Sequence, residues 1–227
     1  MSKSYDIILY GASSYAAKYI IPNLENSKYR IALSGRNQQK FCYSSLPKIE
    51  CSVNEIDIIT SQTRILINCV GPYYKTAEEI ISSCVKNKTH YIDICGEVGF
   101  IQNIIDKFDR LALENSIFIL PACGFDSFIA DIGNEHLKKQ FDDEVQIESI
   151  LTLEDCKVNI TTWESLINSF GKKITLGGRK TKEIKFNSEM GTYIAKLRAS
   201  DYFIVTRTQL LCKKIKCKYS QYLAYIK

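Results

Sequence analysis

Short apolar runs alternate with amphipathic stretches through the first 120 residues, and their spacing predicts strands and helices in turn. Residues 5–10 (YDIILY) read as a strand, residues 11–17 as a loop and Tyr15–Glu25 as a helix, the opening of a βαβ unit. A second strand at 30–34 (RIALS) ends in Gly35-Arg36, and a helix of about ten residues is expected next, limited by Pro47. Residues 49–60 give short strands with little helix between them. Residues 64–70 (RILINCV) form a strand that Gly71-Pro72 breaks. Ala77, Ile80, Ile81 and Cys84 then share one face of a helix over 75–88. A strand at 90–95, a helix at 98–115 and a strand at 116–121 complete the series. This alternation predicts an α/β fold, a Rossmann-type doubly wound parallel sheet whose strand carboxyl ends share one edge.

After Gly124 the rhythm changes. Residues 126–141 read as helix, 145–154 as a strand with one wet face and 162–170 as a short helix, while 171–201 are rich in Gly and Lys and poorly periodic. The expected division is a Rossmann NAD(P)-binding domain over 1–125 and a smaller, partial α+β substrate or dimerisation domain over 126–227.

Charge sharpens that division. Residues 1–150 carry 15 Lys/Arg against 19 Asp/Glu, and residues 151–227 carry 15 against 6. A basic end suits an anionic surface or a phosphorylated ligand, or is simply a solvated face. It holds no recognisable nucleic-acid module, and no nucleic-acid partner is expected. The nine cysteines show no CxxC pair, and with only His90 and His136 present no metal site is expected. An odd number of cysteines and a strand beginning near residue 5 suggest reduced thiols and no signal peptide, hence a cytoplasmic protein. No apolar run reaches the ~18 residues of a membrane span.

Five strand ends carry candidate chemistry. Gly11-Ala12-Ser13-Ser14-Tyr15-Ala16-Ala17 lies between a strand and a helix, where backbone N–H groups can receive a pyrophosphate. The second and third glycine positions of such a loop hold Ser14 and Ala17. A Cβ at Ser14 would cost roughly 1–2 kcal/mol if φ were positive there. The same segment also fits an ordinary tight strand–helix turn. The second strand ends in Ser34-Gly35-Arg36-Asn37 with no acid to bind a ribose hydroxyl. Arg36 and Ser34 instead suit a 2′-phosphate, so NADP is preferred over NAD. The fourth strand ends in Asn68-Cys69-Val70-Gly71-Pro72-Tyr73, the next delivers Asp93, Gly96 and Glu97, and the one after that Gly124-Phe125-Asp126-Ser127. By location, Tyr73, Glu97 and Asp126 are candidate proton donors or acceptors, each with a structural alternative; for Asp126 that is a helix cap. Trp163 reads as a packing residue that could also flank a substrate.

GASSYAA, LSGR, ILINCVGPYY, YIDICGE and ACGFDS, in this order, resemble the saccharopine dehydrogenase-like oxidoreductases and their trans-acting enoyl reductase relatives. Thr162-Trp163-Glu164-Ser165 with Phe170-Gly171 extends the likeness, as do Ser200-Asp201, Arg207-Thr208-Gln209 and Tyr222-Leu223-Ala224-Tyr225. The resemblance implies an NADP-type site at Gly11, Ser13, Ser14, Tyr15, Ser34, Arg36, Asn68, Cys69 and Gly71. It also implies hydride transfer to a C=C or C=N bond of a small-molecule or lipid-linked substrate, a homodimer, and peripheral contact with a lipid droplet or membrane. The family's chains are longer, so the second domain is expected to be shortened. Two other readings stand beside it. One is a non-catalytic nucleotide-binding scaffold. The other is a lipid-surface module using Lys213, Lys214, Lys216 and Lys218 among Leu210, Leu211 and Ile215.

Overall fold

The computed structural model describes residues 3–41, 43–153, 164, 184–212 and 216–225. They fall into two compact units, Met1–Cys123 and Gly124–Lys227.

The first unit is a six-stranded, wholly parallel sheet: β1 (Tyr5–Tyr10), β2 (Ile31–Gly35), β3 (Lys48–Glu50), β4 (Thr63–Asn68), β5 (His90–Asp93) and β6 (Ile119–Leu120), in the order β3-β2-β1-β4-β5-β6. This is Rossmann topology, with the reversal of strand order between β1 and β4. Ile8, Leu9, Ala32, Leu33 and Leu66 are fully buried, as strands covered on both faces require.

Helix α1 (Ala17–Glu25) seats Ala17 and Ile21, with Ile20 and Leu24, against Leu9, Leu33 and Cys69. α2 (Asp57–Thr60) is a single turn. In α3 (Tyr73–Lys86) the stripe Ala77, Ile80, Ile81 and Cys84 is fully buried, as its spacing predicts. α4 (Val98–Glu114) buries Ile101, Ile104, Phe108 and Ala112 at the same helical period.

Three expectations are corrected. Residues 49–60, read as short strands, hold only the end of β3, followed by a 3₁₀ turn (Val53–Glu55) and the helical turn α2. The helix after Arg36 is only a 3₁₀ turn, Gln38–Lys40. Phe41 must turn into the core against Gly35, and the Pro47 carbonyl must accept from Leu33 N (2.8 Å) as the chain enters β3, so no room remains for a longer helix. Among residues 116–121 only Ile119 and Leu120 pair as strand, because Ser116 takes a left-handed φ of 54° and the chain turns until Ile117.

The second unit holds a four-stranded mixed sheet in the order β7-β10-β9-β8, from β7 (Val145–Leu153), β8 (Ile184–Asn187), β9 (Thr192–Lys196) and β10 (Cys217–Tyr225). β7 and β10 run parallel over nine residue pairs, and the other pairings are antiparallel. The stretch that reads as irregular therefore contains two strands, β8 and β9. α5 (Ser127–Lys138) packs on α6 (Ser200–Leu211), which lies against β10. The short helix expected at 162–170, including Thr162, Trp163, Ser165 and Phe170, lies outside the described residues apart from Glu164, as do Gly171, Lys213, Lys214 and Ile215.

Candidate functional site

The carboxyl edge of the first sheet gathers the loops after β1, β2, β4 and β5. Gly11 leaves β1 with φ +91°, a conformation that side chains disfavour. A Cβ there would also stand 2.8 Å from Val70 Cγ2 and 3.0 Å from the Cys69 carbonyl carbon. Glycine is required twice over, by conformation and by the closeness of the β4 loop. Gly11 N and Ala12 N both donate to Ser34 O (2.8 and 3.0 Å), and Cys69 N donates to Tyr10 O (2.8 Å). The loop is thus pinned from both neighbouring strands.

Ser14 is not strained. Among the described residues the non-glycine positive φ values belong to Lys88, Ser116 and Ala122, so the Cβ penalty for a serine at this position does not arise. Ser14 N donates to Gly11 O (2.8 Å), and Ser14 Oγ accepts from Ala17 N (3.2 Å), capping the start of α1. The N–H groups of Ser13, Tyr15 and Ala16 have no acceptor among the described residues and remain open to an anion. Tyr15 is exposed, accepts from Tyr19 Oη (2.9 Å) and lies edge-on to that ring.

At the end of β2, Arg36 is exposed and makes no ion pair among the described residues. Ser34 is fully buried, and its Oγ has no hydrogen-bond partner among the described residues. Its carbonyl holds the β1 loop, while its hydroxyl does not reach the surface. The buried Ser34 hydroxyl is thus not available to a surface phosphate, whereas the Arg36 side chain is exposed.

Asn68, Tyr91 and Asp93 form a buried relay below the edge. Val70 N donates to Asn68 Oδ1 (3.0 Å), Asn68 Nδ2 to Tyr91 Oη (2.9 Å), and Tyr91 Oη to Asp93 Oδ2 (2.8 Å). Asp93 Oδ1 accepts from Cys95 N (2.8 Å) and Ala122 N (3.0 Å). Burial lifts the Asp93 carboxyl to about 6, opposed by those backbone N–H groups and the Tyr91 hydroxyl. Burial also pushes the Cys69 thiol up to about 12, so it is no nucleophile at neutral pH.

No family model matches the chain. It is 26% identical over 273 aligned positions to a saccharopine dehydrogenase-like oxidoreductase of Mus musculus, covering 99% of this chain and 64% of that protein. The chain is a relative of the saccharopine dehydrogenase-like oxidoreductases. It is also 29% identical over 72% of its length to a lipid droplet localized protein of Caenorhabditis elegans, covering 44% of that protein. Identity to the trans-acting enoyl reductase of Mycobacterium bovis is 25% over 78% of this chain and 43% of that one. Each alignment thus spans at most 64% of the relative's own length. The saccharopine dehydrogenase (L-Glu forming) of Saccharomyces cerevisiae superposes with a TM-score of 0.64, over 97% of this chain and 55% of that one, at 12% identity. At that identity the likeness shows the shared fold.

Within this saccharopine dehydrogenase-like frame, two of the three acid–base candidates meet. Glu97 is buried, and its Oε1 and Oε2 accept from Tyr73 N (3.1 Å) and Tyr74 N (3.2 Å). A carboxylate thereby occupies the N-terminus of α3, where the macrodipole favours it. The Tyr73 hydroxyl donates to Asn68 O (3.3 Å), and burial, with Asp93 next, pushes its pKa far above the ordinary tyrosine value. Both side chains are committed to holding the strand ends. Asp126 lies in the second unit, where its Oδ1 accepts from Ser127 N (2.8 Å) at the start of α5. Asn68, too, spends its amide inside the relay, Cys69 is buried, and Gly71 joins Pro72 through a cis peptide.

Tyr91 is the participant that sequence reading passes over. The signal is present: residues two apart on a strand share a face, so Tyr91 sits beside Asp93, whose register partner on β4 is Asn68.

Proposed function

We propose that the first unit binds a nicotinamide dinucleotide, NADP in preference to NAD, and that the chain is an oxidoreductase reducing a C=C or C=N bond. The observation that carries this reading is the pinned Gly11 loop, where, among the described residues, the N–H groups of Ser13, Tyr15 and Ala16 at the start of α1 have no acceptor and Arg36 at the end of the neighbouring strand makes no ion pair. Open helix N-terminal N–H groups suit a pyrophosphate, and an unpaired guanidinium suits a 2′-phosphate. The tightness of Gly11 against Val70 fits a cradle shaped for close backbone approach. When bound, the reduced nicotinamide supplies the hydride. The chain's own part is to hold the dinucleotide and fix the loops of β4 and β5 beside it. The name of the trans-acting enoyl reductase relative favours a C=C bond, and that of the lipid droplet relative a lipid-linked substrate.

Titrating NADPH and NADH with cofactor fluorescence as the readout tests this reading. Saturable binding is expected, tighter for NADPH. Arg36→Ala should weaken NADPH about tenfold or more and leave NADH nearly unchanged, since the lost contact is a charge-assisted bond to phosphate. If neither nucleotide binds, the oxidoreductase reading fails. If the preference survives in the variant, Arg36 does not read the phosphate.

A second reading, that the other unit rests on a lipid surface, is favoured by α5. Phe128, Ile129 and Ile132 fall on one face of α5 with exposures of 50%, 64% and 52%, and Phe125, in the turn before it, is 75% exposed. Such a face on a helix is a contact surface in search of an apolar partner. No helix among the described residues is long and apolar enough to cross a membrane, so this contact would be peripheral. Flotation with lipid emulsions should recover the wild type and lose most of an Ile129→Asp/Ile132→Asp variant; equal recovery excludes this face.

A further inference from the structure

A single line of hydrogen bonds joins the ends of β5 and β4, with Ala122 beyond β6 donating at its start, and its direction is fixed by chemistry. Asp93 sits at the end of β5, fully buried, facing three donors: Cys95 N, Ala122 N and the Tyr91 hydroxyl. A carboxylate offers only acceptors, so Tyr91 must point its proton at Asp93. The Tyr91 oxygen is then left to accept, and it receives Asn68 Nδ2. With its NH₂ so committed, Asn68 presents Oδ1 to Val70 N. Val70 is the residue whose Cγ2 stands 2.8 Å from the place a Cβ on Gly11 would take, and its neighbour Cys69 is bonded to Tyr10 O. The orientation of each group therefore depends on the one before it, from Asp93 to the wall of the Gly11 loop.

We infer that Asp93 and Tyr91 are positioning residues for the Gly11 loop: they set the amide orientation of Asn68, which holds Val70 against Gly11. Neither faces the open edge, since Asn68, Tyr91 and Asp93 are all completely buried. They act through the backbone of residues 69–70. The inference rests on the nucleotide reading for its purpose, but the relay itself is a property of the chain without ligand and can be measured there.

The line can be run backwards by exchanging its two ends. In Asn68→Asp alone, Tyr91 meets two carboxylates with one proton. In Asp93→Asn alone, the Tyr91 oxygen meets two NH₂ groups and its own proton has no acceptor. In the double variant every bond returns, the two at the Tyr91 hydroxyl in reverse. The carboxylate introduced by Asn68→Asp accepts from Val70 N and from the Tyr91 hydroxyl. The Tyr91 oxygen accepts from the NH₂ group introduced by Asp93→Asn, and the carbonyl oxygen of that same amide still accepts from Cys95 N and Ala122 N. A merely structural burden at either site predicts losses that accumulate; a relay predicts rescue.

Amide hydrogen exchange by NMR on the full chain, without ligand, reads the result. Each single variant should speed exchange at Cys69 and Val70 about tenfold or more, with Thr63–Ile65 at the far end of β4 unchanged. The double variant should return Val70 to within about threefold of wild type. Unaltered Val70 exchange in the single variants, or a double variant no better than the worse single, overturns the inference. Should the single variants fail to fold, a folded double variant supports the relay and an unfolded one overturns it. NADPH affinity should follow the same order, lost in the singles and regained in the double. If wild type binds no NADPH, the cofactor reading falls while the exchange pattern still decides the relay.

Discussion

Helices α3 and α5 are built in opposite senses. α3 turns Ala77, Ile80, Ile81 and Cys84 inward and keeps Glu79, Ser82 and Lys86 in water. α5 buries Ser127, Asn134 and Lys138 and leaves Phe128, Ile129 and Ile132 exposed. Its inner side is a polar layer: Thr208 Oγ1 donates to Asp131 Oδ2 (3.0 Å), Ser127 Oγ meets Ser200 Oγ (3.1 Å), Gln221 Nε2 donates to Asp201, and Lys138 pairs with Glu135 (2.7 Å). That layer is incompletely satisfied, with Asp131 Oδ1, Asn134 Nδ2 and Gln221 Oε1 lacking partners among the described residues. In the first unit the corresponding buried relay from Val70 to Asp93 is closed at every joint. The contrast teaches that the first unit carries its own apolar core, whereas α5 gains little from the apolar residues it displays.

That contrast can be broken by matched substitutions. Ile80→Ala should cost about 2–5 kcal/mol, because it empties a fully buried site under the sheet. Urea unfolding followed by circular dichroism gives the number, and a loss under about 1 kcal/mol would mean that α3 is not the buried helix described. The next largest effect is electrostatic. Asp93 has a folded-state pKa of about 6 against an ordinary 3.8, so the native chain holds this proton longer than the unfolded chain. Stability from this group is therefore present below about pH 4 and lost as pH rises toward 6. Against an Asp93→Asn reference, wild type should lose roughly 3 kcal/mol across that window. Carboxylates held low by partners, such as Asp6 beside Arg30 and Glu78 beside Lys107, move the other way but cancel in this comparison. A difference that is flat with pH, or of opposite sign, contradicts the assignment. The smallest effect is expected at Ile132→Ala on α5, within about 0.5 kcal/mol of wild type. A cost like that of Ile80 would show this face to be covered.

The same contrast explains what can be read from sequence. The βαβ order, the α3 stripe and the glycine after β1 are legible because period, position and a single special φ all agree there. The missing helix after Arg36 is not, because nothing local announces that Phe41 must fill the space beside Gly35. Strands β8 and β9 escape notice since Ile184, Phe186 and Tyr193 are apolar yet exposed, which blurs the alternation of an ordinary half-buried strand. α5 is legible as a helix, but its burial runs against its amphipathic pattern. At the candidate site, Gly11 leaves β1 with a positive φ and Arg36 follows β2 as an exposed residue. Tyr73, Glu97 and Asn68 stand out for chemistry because they lie at strand ends, and they prove to be occupied in holding those ends together. Motif position finds the edge; only the donor and acceptor count separates a group that is free to react from one already engaged.

The claim that the edge beside Gly11 and Arg36 receives NADP is tested most directly by amide chemical-shift mapping during an NADPH titration of the full chain. The largest changes are predicted at Gly11–Ala17, at Ser34–Arg36 and at Cys69–Gly71, saturating together at one affinity. Saturation with no change at those three segments, or changes confined to residues 124–227, would contradict it.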